Sequence, residues 1–393
     1  MKNVLMLAST FPRWNNDTVP TFIKDLAESL ISTGDLNILV LVPHYIGAKP
    51  KEVLDSALLI ERLKYFWPAE KQNLFYEGGG ATARKKSLGF VLKTLIYSLH
   101  LFFCTLRKVC FGRYKIIHAH WLVPQGIVAV VVGKLTKCKV IVTVHGGDVF
   151  TLNGRIAKFI KLITLKYADS VAVNSSVTLE ACRHICDREY VLAPMGVDLK
   201  LFSENSSSLQ SQDRKTVLFV GRIVEQKGLR YLINAMASVD ADLMVVGDGP
   251  ELAGLKQYAR ECALGERIIF KGWVDHHLLG QIYRNATVFV APSITLENGW
   301  REGMGLVYLE AMCAGLPVVT TASTGARDFI FDGKNGYVVN EKNTEELAIA
   351  INNLLSNELS DEQFSKVVGE VLDFYNWGSC ADRYRELYEI DKF

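Results

Sequence analysis

The sequence predicts an α/β protein of two doubly wound domains, each a parallel sheet covered by helices. Short, continuously apolar segments alternate with amphipathic helical segments along the chain, a pattern typical of buried parallel strands joined by helices. The 393 residues also exceed the usual size of one domain, so two hydrophobic cores are expected.

The first predicted domain covers residues 1–200. A strand, NVLMLAST, starts at residue 3 and is followed by the loop FPRWNNDTVP, the helix TFIKDLAESLIST and the strand LNILVLVP. Phe22, Leu26 and Leu30 recur on one face of that helix, as expected for a helix that covers a sheet. Three further strands are predicted at KIIHAH, KVIVTVH and SVAVNS.

The second predicted domain covers residues 201–376. A polar segment at residues 203–215, SENSSSLQSQDRK, is typical of a linker between domains. Strands are predicted at TVLFVGR, ADLMVVGDG, RIIFKGW, ATVFVAPS, PVVTTA and GYVVN, and residues 377–393 have a helical pattern expected to pack back on the first domain. Since ligands of doubly wound sheets bind beyond the carboxyl ends of the strands, we expect the site there and in the cleft between two facing domains.

The composition is that of an ordinary globular protein, with 49% hydrophobic and 22% charged residues, which excludes disordered and collagen-like classes. The net charge of +2 conceals an asymmetry, because residues 1–200 carry 26 Lys and Arg against 15 Asp and Glu. A basic first half favours anionic partners such as lipid headgroups or phosphorylated acceptors, although an uneven surface without a partner is the alternative. No nucleic-acid-binding motif is present, so we predict no nucleic acid partner.

The eight cysteines include no Cys-x2-Cys pair, which argues against a zinc site and a disulfide scaffold. The opening segment MKNVLMLAST lacks the apolar core of a signal peptide and instead begins a buried strand. Together these features predict a cytoplasmic protein.

An apolar segment of about 20 residues, the length that spans a bilayer, lies at residues 87–106, SLGFVLKTLIYSLHLFFCTL. Lys93 and His100 interrupt it, and basic residues flank it within 84–113. Three alternatives remain: a core helix of the first domain, a helix in contact with an anionic membrane surface on its inner face, or a spanning helix. The first two are compatible with each other.

Two cations follow the first strand of the second domain. Gly221 and Arg222 come directly after the strand TVLFV, and Lys227 stands just before the next helix. A guanidinium binds two oxygens and an ammonium adds a mobile charge, so the pair is suited to a diphosphate. A solvated turn with incidental charges is the alternative for this motif taken alone.

A GDGP turn follows the strand ADLMVV. It superficially matches a dinucleotide-binding fingerprint, but Leu252 stands at the third glycine position and the motif lies far from the first strand. We therefore predict a tight strand-to-helix turn in which Gly247 and Gly249 approach the ligand.

The segment PSITLENGWREGMGLVYLEAMCAGLPVV carries two glutamates separated by seven residues, Glu302 and Glu310. Gly303 and Gly305 allow backbone to approach a ligand. A helix beginning near Gly305 would turn its free N–H groups and positive dipole end toward a phosphate, and carboxylates suit sugar and ribose hydroxyls.

These residues together resemble glycosyltransferase family 4, whose members have the two-domain GT-B architecture. The resemblance covers nearly the whole chain: the two cations, the GDGP turn, the Glu-x7-Glu loop, the strand entry GLPVV, and, in the first half, HAHW at 118–121 and VTVHGGDV at 142–149. It implies a retaining transferase that moves a hexose-type sugar from a UDP- or GDP-sugar to a glycan, with the nucleotide-sugar as co-substrate and with no cofactor and no metal.

The resemblance also implies roles for single residues. Arg222 and Lys227 neutralise the donor diphosphate, and Glu310 accepts a hydrogen bond from the ribose. Glu302 and the N–H groups of Met304, Gly305 and Leu306 hold the donor sugar and phosphate, with Gly221, Gly247, Gly249 and Gly303 lining the donor. Glu302 as a covalent nucleophile is an alternative that the sequence leaves open. The set expected to act in catalysis is His145, Glu302, Arg222 and Lys227.

The first domain is expected to bind the acceptor. His145 ends a strand and is followed by Asp148, which would orient it toward the transferred sugar; a core histidine is the alternative. His118 and His120 alternate on a strand and are interpreted as structural residues near the cleft, because too few ligands accompany them for a metal. Arg13 and Thr21, in place of the glycines common in this loop of the family, are candidate acceptor contacts together with His118 and Asp148.

The predicted function is therefore transfer of a sugar to a glycan acceptor, in polysaccharide or glycoconjugate biosynthesis. A lipid-linked acceptor would fit the basic first half and residues 84–113. A nicotinamide-dependent oxidoreductase is disfavoured because the loop after the first strand has no glycine fingerprint. A catalytically silent sugar-nucleotide-binding protein would keep the same donor residues and is the main alternative.

Overall fold

The computed structural model describes residues 1–15, 17–76, 88–203, 214–356 and 359–389. The chain divides into two compact units: unit 1 comprises Met1–Gly196 and Trp377–Phe393, and unit 2 comprises Val197–Asn376. Each unit is an α/β structure around a mostly parallel sheet, which confirms the predicted fold class.

Unit 1 contains an eight-stranded sheet in the order β3-β4-β2-β1-β5-β6-β7-β8. All pairs are parallel except β3 with β4. The strands are β1 Lys2–Leu7, β2 Leu36–Pro43, β3 Lys51–Asp55, β4 Leu58–Leu63, β5 Ile116–His120, β6 Lys139–Val144, β7 Ser170–Val173 and β8 Val191–Leu192. Its first six helices are α1 Phe22–Ile31, α2 Leu88–Gly112, α3 Ile127–Thr136, α4 Gly147–Phe150, α5 Arg155–Tyr167 and α6 Ser176–Arg183.

Unit 2 contains a six-stranded sheet, parallel throughout, in the order β11-β10-β9-β12-β13-β14. The strands are β9 Thr216–Val220, β10 Asp242–Val246, β11 Ile268–Gly272, β12 Val288–Val290, β13 Val318–Thr321 and β14 Gly336–Val339. The helices are α7 Leu199–Ser203, α8 Leu229–Ala235, α9 Leu252–Glu261, α10 His276–Arg284, α11 Leu306–Cys313, α12 Thr344–Leu355 and α13 Asp361–Tyr375.

The last helix, α14 Trp377–Glu389, belongs to unit 1. Tyr384 and Tyr388 are buried, and the hydroxyl of Tyr388 lies 2.8 Å from Nδ1 of His118 on β5. Arg385 donates to the carbonyl oxygens of Ser29 and Leu30 at the end of α1. Aromatic packing and these polar contacts together fix the C-terminal helix on the first unit.

The polar segment at 203–215 does not separate the units, contrary to the linker prediction. The division falls at residues 196/197 instead of 200/201, so this segment lies within unit 2, and residues 204–213 are outside the described ranges. The chain leaves unit 1 through packed backbone: a Cβ on Gly196 would lie 2.6 Å from the ring of Trp377, and Val197 N–H donates to the carbonyl of Tyr375. The polar composition of 203–215 does not mark the division, because the passage between the units at 196/197 is apolar and gives no such signal.

Unit 1 also contains a hairpin that the sequence pattern missed, β3 and β4. The strand β3 is antiparallel and almost wholly exposed at the sheet edge, so it lacks the continuous apolar run of the buried strands. The sheet of unit 1 is consequently parallel only from β4 onward in its spatial order.

The long apolar segment forms α2, which continues six residues beyond the predicted end. Tyr97, Leu101 and Val109 of α2 are buried in the core of unit 1. In the most apolar 18-residue stretch of α2, however, only 17% is buried. By length and composition α2 could cross a membrane, which is weak support for such a role. Residues 84–87 of the predicted segment lie outside the described ranges.

In both sheets, the side on which the chain adds successive strands changes at one internal point. In unit 2 the chain builds β9, β10 and β11 to one side and then returns to place β12 on the other side of β9; in unit 1 the reversal lies between β1 and β5. Such switch points leave a crevice at the carboxyl ends of the two central strands. The predicted site residues Arg222, Glu302 and Arg13 all lie in loops that follow these strands.

Candidate active site

The loops after β9, β10 and β11 are joined by backbone hydrogen bonds. Gly221 N–H donates to Val246 O (3.0 Å), Ile223 N–H to Asp248 O (2.9 Å) and Gly247 N–H to Gly272 O (2.8 Å). A Cβ on Gly247 would lie 1.9 Å from Gly221 O, and one on Gly249 2.2 Å from Ile223 O. The glycines of the GDGP turn are therefore required for the loop after β10 to pack on the loop after β9, and this packing supports the Gly221–Arg222 turn.

Gly247→Ala is expected to lower the free energy of unfolding of unit 2 by about 3 kcal/mol, since it adds a backbone clash at a φ of 133°. Urea unfolding measures this loss. Gly254→Ala is the matched control, because it lies within α9 and nothing stands within 4 Å of its new Cβ; it should leave stability unchanged or raise it by up to about 1 kcal/mol. Equal stabilities of the two variants would contradict this account.

The two predicted cations of unit 2 differ in their surroundings. Lys227 forms an ion pair with Glu302 Oε2, and its aliphatic end passes over Gly221. Arg222 is exposed and forms no ion pair within the described part of the chain. Lys227 and Glu302, predicted separately as diphosphate and sugar ligands, thus form one neutralised unit beside a free guanidinium.

The loop between β12 and α11 is tied to the cationic turn. Ile294 N–H donates to Gln226 O (2.9 Å), and Gly325 N–H donates to Glu302 O (3.3 Å). Gly305 has a φ of 81°, where a Cβ would also meet the Tyr308 ring at 2.5 Å, and α11 begins at the next residue as predicted. The first N–H groups of a helix have no partner within it, so those of 305–307 are available to an anion.

Glu310 lies on α11, one turn inside this helix, with its carboxylate buried. The hydroxyl of Tyr283 donates to Oε2 (2.9 Å), and His276 Nε2 lies 3.6 Å from Oε1. Burial first, then the charge of Glu310, raises the pKa of Tyr283 well above its ordinary value, so the phenol remains a donor. One carboxylate oxygen is therefore held by Tyr283, and the other faces the half-exposed His276.

The switch point of unit 1 brings three histidine rings together. His118 and His120 are fully buried on β5, and His120 Nδ1 lies 3.0 Å from His145 Nε2 beyond β6. Burial lowers the pKa of His145 to about 3. Burial and then the neighbouring His145 lower that of His118 to about 3. All three rings are thus neutral at neutral pH.

His118 and Asp148 do not reach the surface where an acceptor would bind. His118 bonds Tyr388 through Nδ1 and Thr143 through Nε2, both at 2.8 Å. Asp148 is buried, and its oxygens accept from the backbone N–H groups of Leu122 (2.8 Å) and His145 (3.2 Å). Asp148 therefore orients the backbone of His145, not its imidazole, which corrects the predicted partner; the ring is held by His120.

Arg13 and Thr21 also have partners of their own. Arg13 forms two hydrogen bonds with Asp17 at 2.8 and 2.6 Å and packs over Trp14 (4.4 Å to the ring centroid) and Tyr45 (4.5 Å). Although burial opposes ionisation, these bonds hold the pKa of Asp17 below its ordinary value. Thr21 is exposed and donates to Asp25 (2.6 Å). Arg13 stabilises the loop after β1, and Trp14, 46% exposed, is its most accessible large side chain.

Two aromatic residues beside His145 were missed by the sequence analysis. The ring centroids of Trp121 and Phe22 lie 4.9 and 5.2 Å from that of His145. Trp121 has a φ of 74°, which is rare for a bulky residue and is typically retained at functional sites. Its place in the motif HAHW was visible in the sequence, but its strained backbone was not.

No group of three or more His, Cys, Asp or Glu side chains able to hold a metal ion occurs in the described ranges. The eight cysteines are free thiols.

Two doubly wound units in one chain form a fold shared with solved GT-B glycosyltransferase structures. Residues 19–201 match the family model described as Glycosyltransferase Family 4, and residues 202–368 match that described as Glycosyl transferases group 1. The chain thus consists of a Glycosyltransferase Family 4 domain followed by a Glycosyl transferases group 1 domain.

Proteins of similar sequence include transferases. The chain is 31% identical over 209 residues to the GDP-mannose-dependent alpha-(1-6)-phosphatidylinositol monomannoside mannosyltransferase of Mycolicibacterium smegmatis, a match covering 49% of this chain and 54% of that one. An uncharacterized glycosyltransferase of Methanocaldococcus jannaschii is 26% identical over 71% of this chain and 76% of its own length.

Solved structures share the fold over nearly the full length. Sucrose-phosphate synthase from Thermosynechococcus elongatus has a TM-score of 0.77 at 21% identity and covers 99% of this chain and 98% of its own. HepE of Anabaena in complex with UDP has a TM-score of 0.70 at 16% identity, with 99% of both chains covered. At these identities the likeness concerns the fold alone.

Proposed function

We propose that this glycosyltransferase retains anomeric configuration and transfers a hexose-type sugar from a UDP- or GDP-sugar to a lipid-linked glycan, without a metal, at the cytoplasmic face of a membrane. The observation that carries the proposal is the grouping at the switch point of unit 2. There Arg222, which has no ion pair among the described residues, and the Lys227–Glu302 pair lie in the loops after β9 and β12, and α11 begins one turn before the buried Glu310.

Cleavage of a glycosyl–diphosphate bond develops positive charge on the sugar and negative charge on the departing diphosphate. Donors fixed in place before the reaction stabilise such charge most effectively. Arg222 offers a bidentate guanidinium, Lys227 an ammonium and α11 its first N–H groups, so the leaving group has three sources of stabilisation. We propose that this set supplies the charge compensation that a metal ion would otherwise provide.

Glu310 is proposed to bind the donor's ribose. Within the described residues, Tyr283 donates to Oε2 and His276 Nε2 lies 3.6 Å from Oε1, so Oε1 can accept a hydroxyl hydrogen bond. Glu302, paired to Lys227, is proposed to recognise sugar hydroxyls; the ion pair makes it a poor covalent nucleophile. His145 is proposed to contact the transferred sugar.

The choice of donor and acceptor rests on relatives. A similar mannosyltransferase is named for GDP-mannose and a phosphatidylinositol mannoside, and HepE was solved with UDP and UDP-glucose. Both nucleotides therefore belong in the first set of donors tested, and a lipid-linked glycan belongs among the acceptors.

A surface of unit 1 supports a membrane-bound acceptor. The helices α2, α3 and α5, of which α3 contacts both others, contain no Asp or Glu and eight Lys or Arg, of which Lys161 is buried and Lys108 is paired with Glu61. Large apolar side chains are exposed on all three: Leu92, Leu95, Leu99, Phe103, Phe111, Val131, Leu135, Ile156 and Phe159. Apolar and cationic side chains without acidic ones are suited to the interface of an anionic bilayer. We name this set the α2–α3–α5 surface.

The double variant Leu99→Glu, Phe103→Glu is expected to bind vesicles containing phosphatidylglycerol at least about tenfold more weakly than the native protein, because it places two charges where two apolar side chains would enter the interface. Co-sedimentation with phosphatidylglycerol or phosphatidylcholine vesicles measures this. Ile349→Glu, an equally exposed site on α12 of unit 2, is the matched control. Binding of the native protein that does not depend on anionic lipid, or that survives the double substitution, would remove this surface from the proposal.

The proposed function is tested by release of nucleoside diphosphate from UDP- and GDP-sugars, with chelator present and a membrane lipid extract as the acceptor source. Release is expected with one donor, dependent on the extract and lost in Glu310→Ala, and proton NMR of the product should show the donor's anomeric configuration. Donor binding without release under every acceptor condition would favour a silent sugar-nucleotide-binding protein. A requirement for divalent cations would overturn metal independence alone.

A further inference from the structure

The imidazoles of His120 and His145 share one hydrogen bond whose direction decides the proton position on both rings. His120 Nδ1 and His145 Nε2 are 3.0 Å apart. Each neutral imidazole has one N–H donor and one acceptor nitrogen, so one ring must donate and the other accept. Proton positions of this kind follow from the remaining partners of each ring.

The other nitrogen of His120 settles the direction. His120 Nε2 is buried and has no hydrogen-bond partner among the described residues. A buried N–H without an acceptor is rarer and more costly than an acceptor lone pair without a donor. His120 is therefore protonated on Nδ1 and donates to His145 Nε2, and Nδ1 of His145 carries the proton of that ring.

The imidazole of His145 is also held in orientation. Its ring is inclined at 24° to that of His120, and its centroid lies 4.9 Å from that of Trp121 and 5.2 Å from that of Phe22. His145 Nδ1 makes no hydrogen bond within the described ranges. Burial keeps the ring neutral, with a pKa of about 3. Its free N–H can thus donate but cannot act as a base.

We propose that His120 is a positioning residue that fixes His145 as its Nδ1–H tautomer, so that His145 donates a hydrogen bond to an oxygen of the transferred sugar. The assignment of this oxygen to the transferred sugar rests on the proposed function, whereas the assignment of the tautomer does not. His145 is accordingly a neutral donor that orients the sugar.

The tautomer is measured directly by ¹⁵N–¹H correlation spectra of the histidine side chains at neutral pH, with His145→Gln used for assignment. We expect a pyrrole-type shift at Nδ1 of His145 and a pyridine-type shift at Nε2. In His120→Leu the two shifts should move toward each other, because the bias is lost, while the exposed His184→Gln leaves them unchanged. The opposite tautomer in the native protein, or unchanged shifts in His120→Leu, would overturn the proposal.

Kinetic measurements test whether the Nδ1–H of His145 acts in sugar transfer, independently of the spectroscopic assignment of the tautomer. The amide nitrogen of asparagine reproduces Nδ1 and that of glutamine reproduces Nε2, so His145→Asn should keep at least tenfold more kcat than His145→Gln, whether or not His120→Leu folds. Equal kcat in the two variants would refute donation from Nδ1. A native protein with the expected spectrum but without transferase activity would contradict the proposed function and leave the tautomer assignment intact.

Discussion

Lys227→Ala is expected to lower kcat/KM for sugar transfer by about 10²–10³-fold, the usual effect of removing one group that stabilises transition-state charge. The variant loses an ammonium beside the proposed diphosphate site. It also leaves Glu302, whose side chain is 16% exposed, without its cation, which adds a negative charge next to the departing diphosphate. Steady-state kinetics with the accepted donor measures the loss.

A double-mutant cycle with Glu302→Gln separates these two effects. If repulsion from the unpaired Glu302 contributes, Lys227→Ala combined with Glu302→Gln should be more active than Lys227→Ala alone, with a positive coupling of the two sites. If Lys227 acts only on the diphosphate, the two losses should multiply. Lys334→Ala, an exposed lysine of unit 2, is the control and should retain native kinetics. Native kcat/KM in Lys227→Ala would remove Lys227 from the donor site.

Much of unit 2 could be predicted because its signals are local. The strand TVLFV is followed at once by Gly221 and Arg222, and Gly305 precedes a helix, so each feature appears within a few residues of sequence. The Lys227–Glu302 pair spans 75 residues and depends on β9 and β12 lying side by side. That adjacency follows from strand order, which alternation alone does not specify.

Partners of buried groups were the least predictable part. Tyr283, which holds Glu310, lies on α10, and nothing in its local pattern distinguishes it from a core residue. In unit 1, Asp148 stands three residues from His145 but bonds its backbone, while His120, 25 residues away, holds the ring. Proximity in sequence correctly indicated that Asp148 lies near His145 but gave the wrong contact. The turn at Gly146, where φ is 96°, sets the direction of the Asp148 side chain.

Acidification below about pH 6.5 is expected to destabilise unit 1, because three neutral histidines lie together there, His118 and His120 buried and His145 partly buried. An unfolded histidine titrates near its ordinary pKa of about 6.5, whereas burial lowers the native pKa of His118 and His145 to about 3. The unfolded state therefore binds protons that the native state does not. Stability is fully present above pH 6.5 and falls by about 1.4 kcal/mol per pH unit for each such histidine until the native pKa is reached.

Other groups near the cluster act in separable ways. Burial raises the pKa of Asp148, so its native state binds a proton more readily and opposes the loss. The lowered pKa of Asp17 affects stability only as pH falls below about 4, the ordinary range of a carboxyl group. The slope between pH 5 and 6.5 thus comes from the histidines of the cluster and from His44, whose pKa burial also lowers, and the raised pKa of Asp148 opposes it.

Removal of one histidine isolates the contribution of the cluster. In His120→Leu the slope of unfolding free energy against pH between 5 and 6.5 should fall by about 1.4 kcal/mol per pH unit, whatever the absolute stability of the variant. Urea unfolding at several pH values, followed by hydrogen exchange of peptides from β5 and β6 and corrected for intrinsic rates, reports unit 1 separately from unit 2. His184→Gln replaces an exposed histidine of unit 1 and should keep the native slope. Parallel slopes in native protein and His120→Leu would mean that His120 is protonated in the folded state, which would also remove the neutral dyad on which the His145 assignment depends.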